Sequence, residues 1–200
     1  MKMSCSAIVL AGGNSERMNY PKPFLTIGGK TFLERICKTY FDSGIKNIYL
    51  VINKKFLSDN WNIYYKPINT FVSIIENAQQ NLGRDYSIKL GAEKVKDAEY
   101  CFIQNIDNPF VSKEIISQLW KNKIAGGYTS PEFQGQNGHP ILISNKIIRN
   151  ILSAENENLR DVLNKYERKS IDVDNERILC NINTNIDYEK YIMSYELHAL

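Results

Sequence analysis

The 200-residue sequence contains no hydrophobic run long enough to cross a membrane. A transmembrane helix needs roughly 20 consecutive apolar residues, whereas the apolar run at residues 7–11 is followed at once by Gly12, Gly13, Glu16 and Arg17. The same run is too short for a secretory signal peptide and lacks a small-residue cleavage site. We interpret it as the first strand of the fold and expect a cytoplasmic protein without a membrane partner.

Cysteine is scarce and scattered in this sequence. The four cysteines, Cys5, Cys37, Cys101 and Cys180, form no CxxC pair and have no histidine cluster near them. Widely spaced cysteines of this kind are typical of reduced thiols that fill apolar space in a cytosolic protein.

The chain also lacks a strong excess of one charge. Its 25 Lys and Arg residues against 22 Asp and Glu residues give a formal net charge of +3, which is too balanced to indicate a nucleic-acid partner or a membrane surface. The remaining composition, 43% apolar and 24% charged, is typical of a soluble globular domain and excludes collagen-like, coiled-coil and low-complexity chains. A small anionic substrate is compatible with this charge balance.

Short apolar runs alternate with helical patterns along the chain, which predicts an α/β fold with a mostly parallel sheet. The predicted strands are 5–10, 47–52, 72–76, 99–106, 140–144, 170–173 and 177–182. The predicted helices are 31–42, which should end at Gly44, a helix capped by Ser112, and the segments 147–152, 158–166 and 187–195. Segment 54–70 is the least regular and is predicted as a helix and an irregular connection on the sheet edge. Because no repeat, linker or charge block interrupts the pattern, we predict one domain over residues 1–200.

The loop after the first strand carries the clearest chemical signal, because ligands of open α/β sheets bind beyond the carboxyl ends of the strands. Gly12 and Gly13 allow close backbone approach and can direct N–H groups at an anion, and Ser15 adds a hydroxyl. Arg17 and Lys22 add two cations to the same loop. This combination is typical of a triphosphate site.

This loop has three other interpretations. A dinucleotide site needs a third glycine that does not follow Gly13 at the required spacing. Gly29-Lys30-Thr31 imitates the end of a P-loop, but Phe24 occupies the position where that pattern requires glycine. A simple glycine turn with surface charges is the remaining alternative, and the presence of Ser15, Arg17 and Lys22 together argues against it.

The segment from Leu10 to Lys22 resembles the signature of the MobA/MocA-like small nucleotidyltransferases, the family that contains molybdenum cofactor cytidylyl- and guanylyltransferases. The resemblance extends over nearly the whole chain, through segment 83–91, Asp107-Asn108-Pro109, Gly138-His139-Pro140 and Asn181-Ile182-Asn183-Thr184 followed by Asp187. It implies a single-domain, three-layer Rossmann-like fold and an enzyme that transfers a nucleoside monophosphate from an NTP.

The resemblance also implies roles for individual residues. It assigns catalytic roles to Lys22 and Arg17 and acceptor binding to His139, with Mg²⁺ held by Asp107 and Asn183. The nucleotide-binding residues that it implies are Leu10, Ala11, Gly12, Gly13, Ser15, Arg17, Lys22, Ser87 and Asp107.

Several of these positions have ordinary structural alternatives. Asp107 alone is more typical of a helix cap or Asx turn before Pro109, and segment 83–91 could be simply a capped helix with an early glycine. Asn183 was expected to follow a strand. Asn19 stands where relatives usually have glycine, and asparagine tolerates a positive φ angle better than other non-glycine residues.

The motifs give conflicting indications of the substrates. Segment 83–91 favours CTP as the donor, whereas Leu10-Ala11-Gly12-Gly13 and the Asn181–Thr184 motif are forms common in relatives that use GTP. Gly138-His139-Pro140 favours molybdopterin as the phosphorylated acceptor, whereas Pro21-Lys22-Pro23-Phe24 resembles sugar-1-phosphate nucleotidyltransferases. A sugar- or polyol-phosphate nucleotidyltransferase and an inactive nucleotide-binding module therefore remain as alternatives.

Overall fold

A computed structural model describes residues 4–155 and 157–197. The strands, in chain order, are β1 (Ser6–Ala11), β2 (Thr26–Ile27), β3 (Lys30–Thr31), β4 (Asn47–Asn53), β5 (Val72–Asn77), β6 (Tyr100–Asn105), β7 (Tyr128–Phe133), β8 (Gln136–Asn137), β9 (Ile141–Ser144) and β10 (Arg168–Asp172). The α-helices are α1 (Phe32–Asp42), α2 (Gly83–Lys94), α3 (Lys113–Lys121), α4 (Asn145–Ser153), α5 (Leu159–Leu163) and α6 (Asn185–Leu197). None of the described helices is long and apolar enough to cross a membrane.

The main sheet is mixed and mostly parallel, as predicted. Its strand order is β10-β7-β9-β6-β1-β4-β5, and β8 pairs with β7. Strand β1 runs parallel to β4 and β6 on its two sides, whereas β9 runs antiparallel to β6 and β7. The carboxyl ends of β1, β4, β5 and β6 therefore meet at one edge of the sheet.

The helices cover both faces of this sheet. Ala7 and Val9 of β1 belong to the apolar cluster that includes α1 and α3, whereas Ile8 and Leu10 belong to the cluster that includes α2, α4 and α5. Because alternate residues of a strand point to opposite faces, both faces of β1 are buried. The predicted three-layer α/β architecture is confirmed.

Helix α1 shows how local sequence signals set the boundaries of an element. The Thr31 side chain accepts a hydrogen bond from the Glu34 N–H at 3.0 Å and caps the first turn. The helix ends at Asp42, and Gly44 follows with φ of +90°, a conformation that glycine adopts without strain. The predicted helix and its predicted end are therefore both confirmed.

Other predictions were confirmed with changed boundaries. Segment 147–152 lies within α4, segment 187–195 lies within α6, and segment 158–166 is reduced to the short helix α5. Segment 54–70 contains two 3-10 helices, Lys54–Leu57 and Asp59–Tyr64, rather than an α-helix.

Two strand predictions differ from the structure. Segment 177–182 is not a strand, because it begins within the 3-10 helix Glu176–Leu179 and makes no sheet ladder. Strand β7 was not predicted, since its sequence is polar and contains Pro131. Pro131 still pairs through its carbonyl, which accepts a hydrogen bond from the Gly138 N–H at 2.9 Å.

Candidate functional site

A cavity of about 570 Å³ lies beyond the carboxyl ends of β1 and β6. The structure brings the predicted nucleotide-binding and metal-binding residues together around it: Leu10, Ala11, Gly12, Gly13, Ser15, Arg17, Lys22, Ser87, Asp107 and Asn183. The remaining lining residues are Asn14, Glu16, Pro23, Gln80, Gly83, Arg84, Asn105 and Ile106. This cavity occupies the position at which open α/β sheets bind ligands.

The loop after β1 is folded back on itself at Ser15. Ser15 has φ of +58°, and its Oγ accepts a hydrogen bond from the Lys22 N–H at 3.1 Å. The expectation of a positive φ at Asn19 was wrong, because the left-handed residue of this loop is Ser15. The bond between Ser15 and Lys22 closes the loop and places both cations, Arg17 and Lys22, on the cavity.

Neighbouring strands fix the middle of the same loop at Asn14. The fully buried Asn53, at the end of β4, donates to Asn14 Oδ1 at 2.9 Å. Lys55 Nζ donates to the Asn14 carbonyl at 2.7 Å. Both contacts hold the backbone between Gly13 and Ser15 in place before any ligand binds.

Ser87 and Asn77 approach the backbone of Gly12 so closely that only glycine fits at this position. A Cβ atom at this position would lie 2.3 Å from Ser87 Oγ and 2.9 Å from Asn77 Nδ2. Ser87 and Asn77 are both buried, and their side chains are joined by a hydrogen bond of 2.9 Å. Ser87 of α2 and Asn77 of β5 therefore pack directly on the loop backbone at Gly12.

An aromatic stack secures the loop beyond Lys22. Phe24 is buried and stacks with both Trp61 and Tyr64, with ring centroids 4.7 Å away in each case and interplanar angles below 20°. Tyr20 adds an edge contact to Trp61 and a 2.7 Å hydrogen bond between its hydroxyl and that of Tyr64. Tyr20 and Phe24, which flank Lys22 in the sequence, therefore both pack against the irregular segment 54–70.

Lys22 lies near the other charged side chains of the cavity, Asp107 and Arg17. Its Nζ donates a hydrogen bond to Asn183 Oδ1 at 2.8 Å. Burial lowers the pKa of the Lys22 ammonium, an effect that the Asp107 carboxylate opposes and the Arg17 guanidinium reinforces. Arg17 is exposed and makes no hydrogen bond or ion pair with the described residues, so its guanidinium is available to an anion.

Asp107 carries a buried oxygen atom without a partner. Its Oδ1 has no hydrogen-bond partner among the described residues, an uncommon condition for a buried polar atom. Burial raises the pKa of the Asp107 carboxyl, and the cations of Lys22, Arg84 and Arg17 oppose that rise. Asp107 lines the cavity, and its carboxylate has unused capacity to accept a hydrogen bond or a cation.

Asn183 precedes α6 and is held by the first turn of that helix. The Asp187 carboxylate accepts hydrogen bonds from the N–H groups of Asn183 and Thr184, each at 2.9 Å, and these bonds lower the pKa of Asp187. Thr184 Oγ1 accepts from the Asp187 N–H in return. The expectation that Asn183 follows a strand was wrong, but a reciprocal capping arrangement fixes its backbone.

The oxygen atoms of Asp107 and Asn183 match the donor preference of Mg²⁺. This ion takes one or two protein oxygens and fills its remaining positions with water and phosphate. No group of three or more His, Cys, Asp or Glu side chains that could hold a metal occurs in the described part of the chain. Asn183 Oδ1 accepts from the Lys22 ammonium in this structure, whereas Asp107 Oδ1 has no partner among the described residues. The residues therefore fit an ion that Asp107 binds first and that the phosphates of a bound substrate complete.

His139, the residue predicted to bind the acceptor, is not among the residues that line this cavity. Its Nε2 lies 3.1 Å from the Nδ2 atom of Asn105, which does line the cavity. Burial lowers the pKa of His139 to about 4, with a further contribution from the Arg84 guanidinium. His139 is therefore a neutral group behind Asn105 at neutral pH.

Several residues of the site were not singled out from the sequence. Asn53, Asn77 and Asn105 stand at the carboxyl ends of β4, β5 and β6, so the strand-end rule could have found them. Arg84 lies within segment 83–91 and faces Asp107 from α2. Gln80 has no sequence signal that separates it from an ordinary surface glutamine.

The fold and the site define a Rossmann-like α/β domain with a cationic loop after β1 and a carboxylate on the same cavity. The chain belongs to the MobA-like NTP transferase domain family, whose model matches residues 7–170. The family resemblance seen in the sequence is thereby confirmed.

Individual relatives are similar over different parts of the chain. A 2-C-methyl-D-erythritol 4-phosphate cytidylyltransferase of Thermosipho melanesiensis is 30% identical over 55% of this chain, and the match spans only 50% of that relative. A probable molybdenum cofactor guanylyltransferase of Clostridium perfringens is 28% identical over 75% of this chain and 70% of its own length. Among solved structures, a nucleotidyl transferase from Methanothermobacter has a TM-score of 0.80 and 16% identity over 97% of this chain and 98% of that one, which shows a shared fold.

Proposed function

We propose that the chain is a Mg²⁺-dependent nucleotidyltransferase that moves a nucleoside monophosphate from an NTP to a phosphorylated small acceptor. The supporting observation is the convergence on one cavity of the Gly12-Gly13 loop, the cations of Arg17 and Lys22, and the unpartnered Asp107 carboxylate. In the reaction, an acceptor phosphate oxygen forms a bond to the α-phosphorus. The bond from that phosphorus to the β-phosphate breaks, and pyrophosphate leaves.

Positioning and charge neutralisation dominate phosphoryl-type transfer. The backbone of Gly12 and Gly13, with Arg17, binds the β- and γ-phosphates. Lys22 stabilises the charge that develops at the α-phosphate. Mg²⁺, held by Asp107 and Asn183, neutralises phosphate charge when it is bound.

For the substrates we favour CTP and a molybdopterin-type phosphate, with GTP as the second donor to test. The resemblance of segment 83–91 to cytidylyltransferases supports CTP, whereas the guanylyltransferase relative supports GTP. A polyol phosphate is the second candidate acceptor, supported by Pro21-Lys22-Pro23 and by the cytidylyltransferase relative. The four cysteines, all free and buried, support a cytoplasmic location.

A thermal-unfolding screen with CTP, GTP, UTP and ATP tests the nucleotide part of this proposal. Each nucleotide is added with Mg²⁺ and with EDTA. A ligand at 100 times its dissociation constant adds about 2.7 kcal/mol, and each kcal/mol raises the Tm of a chain this size by roughly 2–4 °C. We expect one nucleotide to raise the Tm selectively and only with Mg²⁺.

Pyrophosphate release is then measured with molybdopterin and with polyol and sugar phosphates as acceptors. Nucleotide binding without pyrophosphate release in the presence of any acceptor would support the inactive module.

Substitution of Lys22 tests the mechanism. Lys22→Ala removes a donor at the α-phosphate and should lower kcat by about 10² or more. Lys30→Ala, which changes an exposed lysine of β3 outside the cavity, serves as the matched control. If the Lys22→Ala variant turned over within threefold of the wild type, Lys22 would have no such role.

A further inference from the structure

The two proposed metal ligands come from segments that no sheet ladder joins. Asp107 follows β6, whereas Asn183 lies between the 3-10 helix Glu176–Leu179 and α6. The described residues of segment 177–183 make no strand pairing with the main sheet. Some other interaction must therefore set the spacing between Asp107 and Asn183.

The side chain of Asn108 makes most of the contacts that hold this segment, beside one hydrogen bond of 3.0 Å from the His139 N–H to the Ile178 carbonyl. Asn108 is fully buried, and its Nδ2 lies 2.7 Å from the Cys180 carbonyl oxygen, 3.0 Å from that of Ile178 and 3.3 Å from that of Arg177. An amide NH₂ group has two hydrogens, so the three carbonyls share two donors. The adjacent Asp107 carbonyl accepts from the Ile182 N–H at 2.8 Å, so two consecutive residues bind the segment that carries Asn183.

Asn108 is itself fixed from the core side. Gln104 is fully buried, and its Nε2 donates to the carbonyls of Asn105 and Asn108 at 2.8 Å each. The buried Tyr40 of α1 donates its hydroxyl proton to Gln104 Oε1 at 3.2 Å. A chain of hydrogen bonds thus connects α1, the end of β6 and segment 177–183. Buried networks of this kind specify one arrangement because an unmade bond is costly in low dielectric.

The remaining amide atom of Asn108 argues against a simple packing role. Its Oδ1 is buried and has no hydrogen-bond partner among the described residues. An apolar side chain of similar size would fill the same space without burying an unpaired acceptor. The residue is thus explained by its donors, which are used entirely on segment 177–183.

We propose that Asn108 is a positioning residue that sets the separation of Asp107 and Asn183 and thereby the affinity of the site for a divalent metal bound with nucleotide. This inference rests on the proposed function. Asn108 is not among the residues that line the cavity, so its effect is exerted through the backbone at Asp107 and at residues 177–182.

The test compares Asn108→Ala with Asn145→Ala. Asn145 makes the same kind of contact away from the cavity, since its Nδ2 donates to the carbonyls of Lys96 and Ala98 at 2.8 Å each. Mn²⁺ is titrated into each full-length protein with saturating CTP or GTP, whichever the wild type binds, and free Mn²⁺ is measured by electron paramagnetic resonance. Loss of a residue that supports metal ligands typically costs 10- to 100-fold in metal affinity. We expect Asn108→Ala to weaken Mn²⁺ binding at least tenfold and Asn145→Ala to change it less than twofold.

Hydrogen exchange of residues 177–183 provides a second readout that needs no ligand. Asn108→Ala should accelerate exchange there, whereas Asn145→Ala should not. If Asn108→Ala does not fold, Asn108→Ser, which retains one donor, is used and should give a smaller change in the same direction. A folded Asn108 variant with Mn²⁺ affinity within twofold of wild type would overturn the inference. A wild-type protein that binds no metal with any nucleotide would instead overturn the proposed function.

Discussion

At the scale of single residues, two adjacent glycines of the loop have different reasons for being glycine. A side chain at Gly12 would collide with Ser87 and Asn77, whereas a Cβ atom at Gly13 would meet no atom within 4 Å. The collision partners cannot move freely, because they are buried and bonded to each other. Only Gly12 is therefore required by the packing of the unliganded protein.

This difference predicts the stability of two matched variants. Gly12→Ala should destabilise the protein by about 1–3 kcal/mol, the usual cost of overpacking, and lower the Tm by several degrees. Gly13→Ala should change the free energy of unfolding by less than about 0.5 kcal/mol. Thermal or urea unfolding measures both. Equal destabilisation of the two variants would contradict the packing of α2 on Gly12.

His139 predicts a particular acid sensitivity. Its pKa is about 4 in the folded protein and about 6.5 when unfolded, so between these values the unfolded chain binds more protons. The stability contributed by the neutral imidazole is complete above pH 6.5 and is lost as the pH falls toward 4. His139→Gln should therefore lose less Tm than wild type between pH 7 and pH 4. Parallel Tm curves for the two proteins would show that burial does not depress this pKa.

At the scale of elements, the Phe24 stack links segment 54–70 to Lys22. Trp61→Ala removes one of the two rings stacked on Phe24 and should lower kcat by roughly tenfold to a hundredfold, since small displacements of a group in the proposed role of Lys22 are costly. Phe71→Ala is the matched control, because Phe71 is a half-buried aromatic residue that packs on Phe41, with ring centroids 4.4 Å apart. Steady-state kinetics should show a normal kcat for Phe71→Ala and partial recovery in Trp61→Phe. An equal fall in kcat for Trp61→Ala and Phe71→Ala would show that the stack only stabilises the fold.

The elements also show which parts of the fold the sequence could predict. Helix α1 was predictable because its cap at Thr31 and its terminator at Gly44 are local signals. Segment 177–182 was mispredicted because Ile178, Cys180 and Ile182 alternate with more exposed residues, as in a strand. The alternation of buried and exposed residues is present in the structure. The carbonyls of Ile178 and Cys180, however, accept hydrogen bonds from the distant Asn108 side chain and not from a neighbouring strand.

The candidate site follows the same rule. The loop residues from Leu10 to Lys22 and the carboxylate of Asp107 were predictable from motifs that sit at strand ends. The contacts of Asn53 with Asn14 and of His139 with Asn105 were not, because each joins residues far apart in the sequence. Such pairings depend on the order of strands in the sheet, which hydrophobic periodicity does not determine.

At the scale of the whole molecule, protection from solvent decreases outward from the centre of the sheet. Every residue of β1 is buried, and helices cover both of its faces. The edge strand β10 has no fully buried residue, and β5 at the other edge has only two. The rigid part of the molecule is therefore the part that carries the loop after β1.

This gradient predicts the order of amide hydrogen exchange in the native state. Amides of β1, β4 and β6 should exchange only through global unfolding, whereas those of β10 should exchange through local opening at lower free energy. Hydrogen exchange followed by mass spectrometry measures the order directly. Protection of β10 equal to that of β1 would mean that its exposed face is covered in solution.

Trp61 can serve as a fluorescent reporter of the loop after β1. The chain has two tryptophans, and the other, Trp120, is buried in the core near the Lys123 ammonium. Trp61 instead stacks on Phe24, two positions from Lys22. Indole emission depends on nearby rings and on exposure to water, so a Trp120→Phe protein should have a single emitter whose intensity changes when a triphosphate binds beside Lys22. Nucleotide affinities could then be titrated by fluorescence before any acceptor is known.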